Sequence, residues 1–136
     1  MKVTFINEPT IKPVGSGDEW MLCDDFFVSV DSEDEGDSPV TFTVPMGSTT
    51  DLASVPRLPG AYLLFGGRAR RSAILHDWLY ENRFPRKWAD DVFRAAMKEE
   101  EINPVTRFFM WLGVRVGGAS YYQEVAQDSP DDLYKN

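Results

Sequence analysis

The stretch Leu75-His76-Asp77-Trp78-Leu79-Tyr80-Glu81-Asn82-Arg83-Phe84-Pro85-Arg86-Lys87-Trp88-Ala89-Asp90-Asp91-Val92-Phe93 decides the fold. Two runs of helical spacing meet at Pro85. After it, Ala89, Val92, Phe93, Ala96 and Met97 recur at steps of three and four, the apolar stripe of an amphipathic helix. Before it, Ala69, Ala73, His76 and Tyr80 fall on one face. The spacing predicts helices over Arg68–Glu81, Arg86–Glu101 and from Pro104 to about Tyr121. Asn103-Pro104 marks the third start, a capping residue followed by proline at the first helical position. Gly113, Gly117 and Gly118 either weaken that helix or let a neighbour approach closely.

Working outward, the first fifty residues read as β-structure. Val3–Ile6 makes a short strand, Glu19–Val30 alternates around an aromatic pair, and Val40, Phe42 and Val44 share one face of a further strand. The acidic run from Asp31 to Asp37 fails as an EF-hand loop, because its twelfth position is Phe42 where a bidentate glutamate is needed. A solvated hairpin loop accounts for it better. Thr49-Thr50-Asp51 is read as the cap of a short turn, and Pro56 and Pro59-Gly60 forbid a long helix nearby. The resulting expectation is an α+β chain in one domain over 1–136: β-rich 1–47, a turn-rich motif loop 48–67, helical 68–122 and a polar tail 123–136.

Composition narrows the classes. The single Cys23 excludes an internal disulfide. No apolar h-region follows Met1, so no signal peptide is expected, and the longest apolar run, Phe108–Val114, is too short for a transmembrane segment. The net charge of -8 is uneven: residues 57–115 hold eleven basic and seven acidic side chains, whereas residues 1–56 hold two and eleven. That cationic middle permits an anion-facing surface, yet without a dense basic stripe it gives no strong nucleic-acid signal.

His76 is the only histidine, and helical spacing gives it partners. Asp90 lies at the buried edge of its helix, while Asp91 aligns with Arg94, Ala95 and Lys98 and is expected to face water and pair with those cations. Asp90 is therefore the expected acceptor for the imidazole, fixing its tautomer so that the other nitrogen can activate water. Tyr80 would hydrogen-bond to a carboxylate, and the small or planar neighbours Ala69, Ala73 and Tyr80 should leave room beside the ring. Asp77, about a hundred degrees away around the helix, would hold a cation or a substrate group. Asp51, Ser54 and Arg57 add a carboxylate, a hydroxyl and a guanidinium from the motif loop as binding candidates. Oxygen-rich ligation by Asp51, His76, Asp77 and Asp90 would favour Ca²⁺ or Mg²⁺ over Zn²⁺. The competing expectation is a His–Asp–Tyr network that only pins two helices together.

Two resemblances follow from these motifs. Val44-Pro45-Met46-Gly47, Thr50-Asp51-Leu52-Ala53-Ser54-Val55-Pro56-Arg57, Ala73-Ile74-Leu75-His76-Asp77-Trp78-Leu79-Tyr80 and Arg86-Lys87-Trp88-Ala89-Asp90-Asp91-Val92-Phe93, then Arg115 and Gly117, together resemble a family carried by phages and prophages and known as a domain of unknown function. That resemblance covers roughly residues 40 to 122 and implies a phage origin. His76-Asp77-Trp78-Leu79-Tyr80 with Asp90-Asp91-Val92-Phe93 is locally similar to secreted phospholipase A2. This second resemblance implies His76 as general base, Asp77 as Ca²⁺ ligand, Tyr80 and Asp90 as supports, and Gly66-Gly67 as an ion loop. The flanking disulfide cysteines and the calcium-loop motif of that family are absent here. The expected function is a phage-encoded hydrolase acting on a lipid or a cell-wall ester or amide of the host envelope. The alternatives are a non-catalytic virion protein of the tail or head-to-tail region, and a small effector binding a host factor. Each places the chain in the host cytoplasm or the virion.

Overall fold

A computed structural model describes residues 1–15, 19–51 and 69–126, with the backbone alone described at 51, 120, 121 and 124–126. The chain is α+β. Its described elements are β1 (Lys2–Phe5), β2 (Ile11–Val14), β3 (Glu19–Leu22), β4 (Phe26–Asp31), β5 (Val40–Val44), β6 (Thr49–Asp51), α1 (Arg70–Glu81), α2 (Arg86–Glu99) and α3 (Pro104–Ala126). The strands form two antiparallel three-stranded sheets, in the orders β1-β4-β5 and β2-β3-β6.

The first sheet turns one face inward. Val3, Phe26, Val28, Val30 and Val44 are buried at alternate positions, and they meet Ile74, Leu75 and Leu79 of α1 and Val92 and Ala96 of α2. Burying an aliphatic side chain of this kind stabilises by about 1.5–3 kcal/mol. A second cluster joins the helices to each other, with Ala73, Phe93, Met97, Met110 and Val114 at its centre. α1 lies in the middle of the protein, packed against α2, α3, β3 and β6. Eight of its twelve residues are buried, His76, Asp77 and Tyr80 among them.

Helices α1 and α2 stop in the same way without a glycine. Arg83 and Glu101 take φ of 64° and 63°. The amide of each donates to the carbonyl three residues back (Tyr80, Lys98), and the next amide donates to the one five back (Leu79, Met97). Glu100, at the end of α2, reaches across to the start of α1 and accepts the Ser72 amide at 2.9 Å and its hydroxyl at 2.5 Å. Burial pushes the Glu100 carboxyl up, and these Ser72 bonds and the charge of Arg71 only partly offset it. Asn103 caps α3 as its spacing predicts, its Oδ1 accepting the Thr106 amide at 2.9 Å.

Three sequence readings are corrected. Glu19–Val30 is not one strand: the Cys23 amide donates to the Thr10 carbonyl and the Asp25 carboxylate takes the Met46 amide, which sends β3 and β4 into different sheets. Thr49–Asp51 pairs with β3 as a strand instead of capping a turn. α2 ends at Glu99, and α3 continues to Ala126, past the expected end near Tyr121. The hairpin loop after β4 is exposed from Glu33 to Ser38, as the acidic run suggested.

Candidate functional site

The histidine and the aspartate of the neighbouring helix meet. His76 Nε2 lies 2.7 Å from Asp90 Oδ1, with the imidazole 2% exposed and the carboxylate fully buried. A carboxylate oxygen accepts, so Nε2 carries the proton and the Nδ1 of the neutral ring carries the lone pair. Nδ1 has no hydrogen-bond partner among the described residues. Asp77 Oδ1 stands 3.9 Å from it, beyond hydrogen-bond reach.

Asp90 collects more donors than this. Tyr80 donates its hydroxyl to the same Oδ1 at 2.5 Å, while Oδ2 accepts Arg115 Nη1 at 2.7 Å and has Arg86 Nη1 at 3.6 Å. Burial alone would raise the Asp90 carboxyl. The hydrogen bond from His76, the charge that ring carries when protonated, and the bonds from Tyr80 and Arg115 outweigh it and hold the group below the usual carboxylate range. Tyr80 moves the other way: burial first, then the Asp90 charge, keeps its phenol protonated far above ordinary pH. Gly118 gives this hydroxyl its space, since a Cβ there would stand 3.0 Å from it. The sequence left the α3 glycines undecided between weak helix and close packing. At Gly118 close packing is the answer.

Asp77 faces the second sheet, where Thr50 of β6 donates its hydroxyl to Oδ2 at 2.5 Å. Although α1 turns Asp77 well away from His76, both are buried because α1 is covered on several sides. Asp51 follows Thr50, with its backbone in β6. The Asp51 side chain and the whole of Ser54, Arg57, Gly66 and Gly67 lie outside the described residues. Among the described residues no three His, Cys, Asp or Glu side chains gather as a metal site. Calcium takes six to eight oxygens, so Asp77 and the Thr50 hydroxyl do not make a calcium site by themselves.

The description "Protein of unknown function (DUF1353)" matches residues 20–114, well over half of the chain. The chain belongs to this family. No curated protein and no solved structure matches it. The DUF1353 match takes in Thr50, His76, Asp77, Tyr80, Arg86 and Asp90, and it ends one residue before Arg115.

Two site expectations for this DUF1353 member are corrected. The room predicted beside the imidazole is filled: the Tyr80 ring lies 4.2 Å away by centroid and the Phe93 ring 4.8 Å away. Both belong to faces already packed in the helical core. Asp91 is half-buried and pairs with Lys87 at 2.8 Å, four residues before it, not with Arg94 or Lys98. Its other oxygen accepts the Trp111 indole at 3.0 Å, which turns the carboxylate toward α3. Two described grooves, of about 330 and 350 Å³, lie over the outer face of α2 beside Ala95 and Lys98, and His76 lines neither.

Sequence reasoning missed Arg86 and Thr50 as partners and left Arg115 without a named acid. Arg86 stands four residues before Asp90 on one helix, a spacing that signals an ion pair. No local signal links Thr50 to Asp77 or Arg115 to Asp90, because tertiary packing alone brings those pairs together. No described helix is long and apolar enough to cross a membrane.

Proposed function

We propose that this DUF1353 member is a phage-encoded hydrolase in which His76 is the general base, acting on an ester or amide of the host envelope. The observation that carries the reading is the one-sided imidazole: Nε2 is bound to Asp90 and Nδ1 keeps a lone pair with no hydrogen-bond partner among the described residues. Nδ1 would take a proton from water as the oxygen adds to the carbonyl carbon. The buried Asp90 carboxylate stabilises the imidazolium that forms. The ring then gives the proton to the leaving oxygen or nitrogen as the tetrahedral intermediate collapses, releasing an acid and an alcohol or amine. A positioned base of this kind contributes about 10²–10⁴-fold. Access to Nδ1 is required on the Asp77 side. Asp51, Ser54 and Arg57 are the proposed substrate contacts. A calcium ion at Asp77 would draw further oxygens from the backbone of Gly66 and Gly67. The phage assignment rests on the motif resemblance, and it locates the protein in the host cytoplasm or the virion.

The burial of the ring and of Asp90 favours a second reading, a polar clasp that joins α1, α2 and α3 in a non-catalytic virion protein. One variant separates the two. With p-nitrophenyl butyrate and phosphatidylglycerol vesicles as probes, the hydrolase reading expects turnover by the native chain. It also expects at least a hundredfold loss in His76→Asn, with little change in melting temperature. No turnover on these probes together with a collapse of stability in the variant would leave only the clasp. For calcium, a rise in melting temperature at millimolar ion that Asp77→Asn removes is the expected result.

A further inference from the structure

Among the described residues, α3 leaves one face without a partner. Val105, Phe108, Phe109 and Val116 are 65%, 40%, 46% and 75% exposed, and Leu112 and Ala119 lie among them on the same side. The arc they cover is about 100° wide, the width by which a surface helix normally faces a core. It carries no charged side chain. From Val105 through Phe109, Leu112, Val116 and Ala119 the steps are four, three, four and three, the spacing by which one helix meets another helix.

We infer that this face pairs with the same face of a second copy of the chain, with the two α3 helices antiparallel about a two-fold axis at Leu112. Shape is the reason for the second copy and for the direction. The stripe is bulky toward its start (Phe108, Phe109) and slender toward its end (Val116, Ala119). An antiparallel pair sets each bulky half on the slender half of the other, with Val105 opposite Ala119 and Phe109 beside Val116. A parallel pair would press phenylalanine on phenylalanine. With no charge on the stripe, a self-contact meets no like-charge repulsion. Phe108 also holds Arg94 over its ring at 5.7 Å, so the cation lies at the rim of the contact and not within it.

Size sets the strength. The four most exposed side chains leave on the order of 400 Å² in water, a patch large enough to mark a contact on a monomer. Doubled across the pair, this reaches roughly 800 Å², short of the roughly 1,000 Å² that a stable interface clears. The dimer is accordingly weak and concentration-dependent. This inference is independent of the reading of His76, and its failure would leave that reading intact.

The test is sedimentation equilibrium on the full chain from about 5 to 500 µM. The expected result is a monomer–dimer equilibrium that Val116→Glu shifts to monomer without lowering the melting temperature. In a Cys23→Ser background, Leu112→Cys should form a disulfide dimer under mild oxidation. Val105→Cys should not, because its mates lie about 20 Å apart in the antiparallel pair. Crosslinking at both positions would indicate a parallel pair and overturn the geometry. A monomer throughout the range would overturn the pairing. A drop of several degrees in the melting temperature of a monomeric Val116→Glu would show that the chain covers this face itself.

Discussion

The β1-β4-β5 sheet and the junction of the three helices are both buried, yet they are held together on different terms. Under the sheet, Val28, Val30 and Val44 meet Leu75 and Leu79 by apolar contact alone, and each contributes roughly in proportion to its area. At the junction, one carboxylate with no exposure receives the Tyr80 hydroxyl, the His76 ring and two guanidinium groups. Apolar burial degrades gradually when a side chain is trimmed. A buried ionic cluster does not, because removing the centre takes one shared acceptor from several groups at once. The difference teaches that Asp90, a small residue, should matter more than any one valine of the sheet.

The largest expected effect follows from that. Asp90→Ala should cost about 3–5 kcal/mol in urea unfolding, against about 2 kcal/mol for Val28→Ala. Equal losses would erase the distinction. Next comes Gly118→Ala. On an open helix face this change gains up to about 1 kcal/mol. Here the new methyl would stand 3.0 Å from the Tyr80 hydroxyl, so a net loss of about 1 kcal/mol is expected. Tyr80→Phe in the same chain should recover most of it, and a purely additive double variant would contradict the contact.

The smallest effect is a matter of pH. Glu100 has its folded pKa raised chiefly by burial, so the stability linked to its proton is present below the usual glutamate range and is lost as pH rises through the raised value. Asp90 has its folded pKa lowered despite burial, so its contribution is present above the usual aspartate range and is lost as pH falls through the lowered value. Glu100→Gln keeps an acceptor for Ser72 and should flatten only the limb of the profile that falls as pH rises above the usual glutamate range. Loss of the acid limb in that variant would mean that the assignment is reversed.

Much of the junction was legible because helical spacing fixes faces. His76 and Tyr80 fall together on one helix and Asp90 on the inner edge of the next, and the fold joins those three side chains. The α+β order and the starts of α2 and α3 were legible for a related reason: Pro85 and Asn103-Pro104 act within one turn of themselves. The rest depends on distant chain. Arg115 is 25 residues from Asp90, and nothing near either one announces the pair. β6 becomes a strand only because β3 lies beside it, and the split at Cys23–Asp25 depends on Thr10 and Met46. The covered faces of the imidazole were misjudged because Phe93 was read as core on its own helix, with its reach across to His76 overlooked.

A chain with a single histidine allows its imidazole to be read without assignment ambiguity. Long-range ¹H–¹⁵N correlation spectra at pH 8 report which ring nitrogen carries the proton. The arrangement around Asp90 predicts a proton on Nε2 and a bare Nδ1, with that preference weakened in Asp90→Asn. A proton on Nδ1, or a pattern indifferent to Asp90→Asn, would contradict it.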